Sequence, residues 1–212
     1  VNKDVTLLFG LHEGQRGALV GAGPSLDLIQ DFEDRLMTYN VVIGINEAIF
    51  AVPELDYLTC FDYKAARKTF KAWTPSLKVI LAEGTSNIAP AHENTYEGPR
   101  RFPGRAGSLG EALCFARELG LAELDLYGVD LCWPTKDALK FKYAQSIHDQ
   151  LEGQVYGGSS IHRCNPVGDL HRDQAFERFV IELRLHKSEF KDMDIRNKSP
   201  FSMLDCFETD LS

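Results

Sequence analysis

No apolar run in this chain approaches the roughly 20 residues that a membrane-spanning helix needs. No basic n-region followed by an apolar h-region marks a secretory signal, and the chain opens on Val1, as a trimmed product or a part of a longer one would. The five cysteines, Cys60, Cys114, Cys132, Cys164 and Cys206, are scattered and form no Cys-x-x-Cys pair. An odd count without a secretion signal predicts reduced thiols and a cytoplasmic setting. Cys60 and Cys114 stand in apolar contexts and are expected in the core. No His-x-x-x-His or His-Glu-x-x-His pattern suggests zinc. Positive charge is in deficit: Lys and Arg number 23, Asp and Glu 31, a net −8. That balance argues against a nucleic-acid backbone as the main partner. Two phosphate signatures are also missing. Leu26 stands where the third glycine of Gly-x-Gly-x-x-Gly would be, and the Walker lysine motif is absent. No internal repeat or low-complexity tract breaks the chain.

What is present begins with Gly17-Ala18-Leu19-Val20-Gly21-Ala22-Gly23-Pro24-Ser25-Leu26-Asp27. A short apolar strand runs into glycines, then into an amphipathic segment. Glycine lets the backbone turn sharply and lets a ligand approach it. Pro24 suits the first turn of a helix, where its missing N–H costs nothing. N–H groups exposed at such a helix start form a phosphate or carboxylate site. The same turn serves equally as a tight strand-to-helix connection with no ligand.

The 212 residues, 44% hydrophobic, predict one domain spanning 1–212 with a sizeable core. An edge strand is expected at 5–9, a strand at 18–20 and a helix over 24–36. The continuous apolar run 41–45 reads as a strand covered on both faces. Further strands are expected at 55–61, 77–82, 124–127 and 193–196. Helices are expected at 65–73, from Gly107-Ser108 onward, and from His171, with Phe176, Phe179, Val180 and Leu183 as the last one's buried stripe. Residues 84–105 read as a long loop and 134–166 as a lid or insertion. Strands alternating with helices predict an α/β fold: a Rossmann-like, mostly parallel sheet with helices on both faces.

In such a sheet, ligands bind outside the carboxyl ends of the strands. Those ends carry Gly21-Ala22-Gly23, Asn46-Glu47, Asp62 and Gly128-Val129-Asp130. Asn and Asp there also cap following helices. Arg100, Arg101 and Arg105 form the dense cationic stretch, a solvated loop or a clamp for an anionic substrate, the first being preferred. Among the six histidines, His171 stands at a predicted helix start, which disfavours imidazolium and suits a general base. A solvent-exposed histidine fits the same position.

These motifs, in this order, resemble the motility accessory factors, flagellin glycosyltransferases in a family that also includes archaeal 6-hydroxymethylpterin diphosphokinases. The plan is also similar to bacterial lipooligosaccharide sialyltransferases. The resemblance rests on residues 18–27, Gly44-Ile45-Asn46, Gly107-Ser108-Leu109-Gly110, Tyr127-Gly128-Val129-Asp130, and the closing pattern of Asn197, Ser199, Ser202, Leu204 and Phe207. It covers residues 17–131 and 168–208. Ala22 matches the motility-factor form rather than the sialyltransferase Asn, Ser108-Leu109 departs from Ser-Gly, and 134–166 matches nothing.

The resemblance implies a transferase using a nucleotide-activated sugar, such as a CMP-nonulosonate, and a hydroxyl acceptor. Gly21, Gly23, Pro24, Ser25, Asn46, Asp62, Ser108, Gly128 and Asp130 would form the nucleotide site. The N–H groups of residues 23–25 and the Ser25 hydroxyl would hold the leaving phosphate. His171 would be the base, and Tyr143 or Tyr156 would offer a phenol to the leaving group. The alternative within the same family is an ATP-dependent diphosphotransferase with magnesium on Asp62 and Asp130. A third is a nucleotide-binding protein without catalysis.

Overall fold

The structure, a computed structural model, describes residues 2–84, 92–104, 106–131, 133–134, 164–167, 170–200 and 202–211. Among them a nine-stranded sheet runs in the order β1-β6-β5-β4-β3-β2-β7-β11-β12, and every pair in it is parallel. The strands are β1 (Lys3–Asp4), β2 (Arg16–Val20), β3 (Val41–Ile45), β4 (Tyr57–Cys60), β5 (Lys78–Ala82), β6 (Thr95–Gly98), β7 (Glu123–Tyr127), β11 (Asp194–Asn197) and β12 (Glu208–Thr209). A separate antiparallel sheet, order β8-β10-β9, joins Trp133–Pro134, Leu170–Asp173 and Cys164–Val167.

The apolar runs divide by alternation. Leu19, Val41, Ile43, Ile45 and Ile80 face one core, and Ala18, Val20, Val42, Leu58, Val79 and Leu81 the other. Side chains on a strand alternate between faces, so both faces need cover. The first is covered by α3 (Gly107–Glu118) through Leu109, Ala112, Leu113 and Ala116, and by α4 (Gln174–Leu185) through Leu183. The second is covered by α1 (Phe32–Leu36) and α2 (Tyr63–Thr69), with Leu26, Phe32, Leu36 and Ala66 buried. This is the expected Rossmann-like α/β architecture. No helix of the described residues is long and apolar enough to cross a membrane.

Four local expectations are corrected. Residues 5–9 are not a strand: Val5–Leu8 form a 3-10 turn, and the edge strand is Lys3–Asp4. The helix over 24–36 is broken into a 3-10 turn, Pro24–Leu28, and α1, with Asp31 left-handed at φ 52° between them. Leu26 and Phe32 pack in one core. Six residues apart, they would point about 120° apart on a continuous helix. The stretch 84–105 contains β6, which extends the sheet beyond β5.

His171 does not begin a helix. It lies within β10, opposite Pro166 of β9 and Trp133 of β8, and α4 starts three residues later at Gln174. The helix-terminus argument for a neutral imidazole therefore does not apply to it.

Candidate functional site

The chain leaves β2 toward β3 but leaves β7 toward β11, on opposite sides of the sheet. Neighbouring strands whose connections diverge leave a crevice at their carboxyl ends. A cleft of about 720 Å³ opens there. Of the residues expected at a nucleotide site, Gly21, Gly23, Pro24, Asn46, Asp62, Ser108, Gly128 and Asp130 line it. Ser25 does not line it and is fully buried.

The glycine-rich turn is closed by its own chain. Gly21 N–H donates to the Tyr127 carbonyl at 2.7 Å and Gly23 N–H to the Gly128 carbonyl at 2.8 Å. Ser25 N–H donates to Asp130 Oδ2 at 2.8 Å, and the Ser25 hydroxyl donates to Asp130 Oδ1. A Cβ added to Gly21 would sit 2.4 Å from the Gly128 oxygen, and one on Gly23 would sit 2.4 Å from Asp130 Oδ2. The glycines admit the β7 loop rather than a ligand. The donors that the sequence offered to a phosphate are thus directed within the protein, the Gly23 N–H to the Gly128 carbonyl and the Ser25 N–H and hydroxyl to the Asp130 carboxylate.

Asp130 is buried, and burial pushes its carboxyl up to about 6, with the Ser25 hydroxyl, Ser25 N–H and Ser199 hydroxyl pulling the other way. The C-terminal pattern braces this loop. Val129 N–H donates to Ser199 Oγ at 3.2 Å, the Ser202 hydroxyl to the Val129 carbonyl at 2.6 Å, and Met203 N–H to the Asp130 carbonyl at 2.8 Å. Asn197 holds the brace in shape, donating to the Leu204 carbonyl at 3.2 Å and accepting Ser199 N–H at 3.1 Å.

Asn46 follows β3 in the left-handed region, φ 52°, and its Oδ1 is buried without a hydrogen-bond partner. Leu131 is likewise left-handed at φ 51° on the cleft wall. Strained and unsatisfied groups of this kind cluster where a ligand or a moving element completes them. Asp62 caps α2, accepting the Lys64 N–H at 2.7 Å, as well as lining the cleft.

The arginine stretch divides. Arg101 turns away, pairing with Glu118 at 2.9 Å and lying 4.6 Å over the Phe9 ring. Arg100 lines the cleft and donates to the Phe61 carbonyl at 2.8 Å. Magnesium on Asp62 and Asp130 does not fit this geometry, since both Asp130 oxygens accept from Ser25. Among the described residues no group of three or more His, Cys, Asp or Glu side chains is placed to hold a metal ion.

The wall also includes Tyr63, Glu83, Leu131 and Phe179, which the sequence did not assign. Tyr63 directly follows the strand-end Asp62, which was the available clue. Phe179 was readable only as a core residue of α4. The side chain of His171 is not described, and Tyr143, Tyr156 and Arg105 lie outside the described residues. Compared with models of known protein families and with curated proteins, the chain matches none.

Proposed function

We propose that the cleft binds a nucleotide-activated sugar and that the protein transfers the glycosyl group to a hydroxyl acceptor, with a CMP-activated donor favoured by the order of the motifs. The observation that carries this reading is the position of the cleft, at the crevice where β2 and β7 diverge. Its volume is of the order that small-molecule sites occupy. Asn46 supports the reading, because a ribose or base donor would satisfy its unpaired amide oxygen. Tyr63, half exposed on the wall, offers a face for a base to stack on.

In the reaction, the acceptor oxygen bonds to the anomeric carbon as its proton passes to the imidazole of His171. The bond from the anomeric carbon to the phosphate oxygen breaks, and the electron pair stays on the phosphate. A phenol from Tyr143 or Tyr156 would donate to that leaving oxygen. β10, which carries His171, leads into α4, whose Phe179 lines the cleft.

A thermal-shift series with CMP, CDP, UDP, GDP and ATP, each with and without magnesium, tests the binding step, because a ligand selective for the native state raises the melting temperature. The expected result is stabilisation by CMP that does not require magnesium, followed by transfer from a CMP-activated sugar. Stabilisation by ATP with magnesium alone would replace this reading with the diphosphotransferase. Binding without turnover of any activated sugar would leave a nucleotide-binding protein.

A further inference from the structure

We infer that Arg100 is the anion-binding residue of the cleft and takes the phosphate of a bound nucleotide, while the Gly21, Gly23 and Ser25 donors of the glycine-rich turn take none of its oxygens. This inference rests on the nucleotide reading of the cleft and assigns the end of the ligand that the turn cannot hold.

The first observation is exclusion. The N–H groups of Gly21, Gly23 and Ser25 donate within the protein and Pro24 has none, so of residues 21–25 only Ala22 has an N–H without a partner among the described residues. The space on the Cβ side of Gly23 is filled, since a single added carbon there would meet both Asp130 and Gly128. A phosphate placed there would also face the Asp130 carboxylate, and like charges at short range in a buried setting repel strongly.

The second observation is the charge of the wall. Glu47, Asp62, Glu83 and Asp130 line the cleft, and Arg100 is the cation among its described lining residues. Lys68 reaches Glu47 at 3.7 Å, offsetting one of those acids, but does not itself line the cleft. Among the described lining residues, an anion entering this cleft meets positive charge only at Arg100.

The third observation is how Arg100 is held. Its Nη2 donates to the Phe61 carbonyl, just beyond the end of β4, which anchors one edge of the guanidinium at the rim. The side chain is otherwise exposed and forms no ion pair with any described residue. A planar guanidinium fixed along one edge presents further N–H groups in the fork that suits a phosphate. Arg101, by contrast, is committed to Glu118 and Phe9.

Calorimetric titration of CMP, cytidine and inorganic pyrophosphate into the wild type, Arg100→Gln and Arg100→Lys tests the assignment, with circular dichroism checking that each variant is folded. The wild type is expected to bind CMP more tightly than cytidine. Arg100→Gln should weaken CMP and pyrophosphate roughly tenfold to a hundredfold, the range for a charge-assisted hydrogen bond, and leave cytidine unchanged. Arg100→Lys should restore part of the loss. If the wild type binds CMP and Arg100→Gln binds it equally well, the inference is wrong while the nucleotide reading stands. If the wild type binds neither CMP nor cytidine, the nucleotide reading fails and pyrophosphate decides. Pyrophosphate binding lost in Arg100→Gln supports the anion site; binding that is unchanged, or absent from the wild type, overturns it.

Discussion

The Asp130 carboxylate accepts both the backbone N–H and the hydroxyl of Ser25, joining the loop after β7 to the turn after β2 across 105 residues of chain. It occupies the position at which the sequence motif suggested a phosphate. Because the pair is buried and carries a titrating group, it ties the stability of the cleft floor to pH.

Burial holds the Asp130 carboxyl at about 6 in the folded protein, above the ordinary 3.8. The folded state therefore binds the proton more tightly than the unfolded state, and this residue's contribution to stability falls as pH rises from about 4 to about 6. A difference of about two units corresponds to at most about 3 kcal/mol. We predict that the stability of Asp130→Asn relative to wild type improves over this interval and is flat above it. Urea unfolding at pH 4, 5, 6 and 7 measures the difference, and a constant gap across the series would refute the assignment.

Gly23→Ala should destabilise the fold itself, by about 3 kcal/mol or more, because its Cβ would stand 2.4 Å from Asp130 Oδ2 and 2.5 Å from the Gly128 oxygen. Such a variant cannot serve as a clean probe of ligand binding. The unfolding midpoint reports the effect, and a midpoint equal to that of the wild type would mean the two loops separate more easily than their hydrogen bonds indicate.

Asn46 offers a separation of stability from binding. Glycine adopts the left-handed conformation without strain, so Asn46→Gly should be neutral or stabilising by up to about 1 kcal/mol, while Asn46→Ala should cost about 1 kcal/mol. Both should weaken nucleotide binding if the amide contacts the ligand. Parallel unfolding and titration experiments check this; full affinity in Asn46→Gly would remove the residue from the site.

For the transfer reaction, His171→Ala should lower the rate roughly 10²- to 10⁴-fold with little change in nucleotide affinity, as expected for loss of a general base. A variant retaining the full rate would end the assignment of His171 as the base.

Much of the fold was legible in the sequence because it is written in local patterns. The continuous apolar run of β3 announced a strand buried on both faces, and all five of its residues are buried. The periodic Leu109, Ala112, Leu113 and Ala116 announced α3. Strand ends followed by Asn46, Asp62 and Asp130 marked the edge where the cleft lies. The break between Leu26 and Phe32 and the pairing of β10 were less visible, since each depends on which distant surface a side chain or strand must meet.

What the sequence determined by itself was the alternation of parallel strands and helices, and hence the edge of the sheet on which a site forms. Hydrophobic period and turn chemistry are local and sufficient for that. Only the tertiary structure decided what the glycine-rich turn is for. Its donors could have served a phosphate or another part of the chain. The choice was made by Asp130, 105 positions after Ser25, whose carboxylate reaches the turn only once β2 and β7 lie side by side. Tertiary packing likewise distinguished Arg100 from Arg101, adjacent residues of equal charge: one lines the cleft, while the other is held by Glu118 on α3.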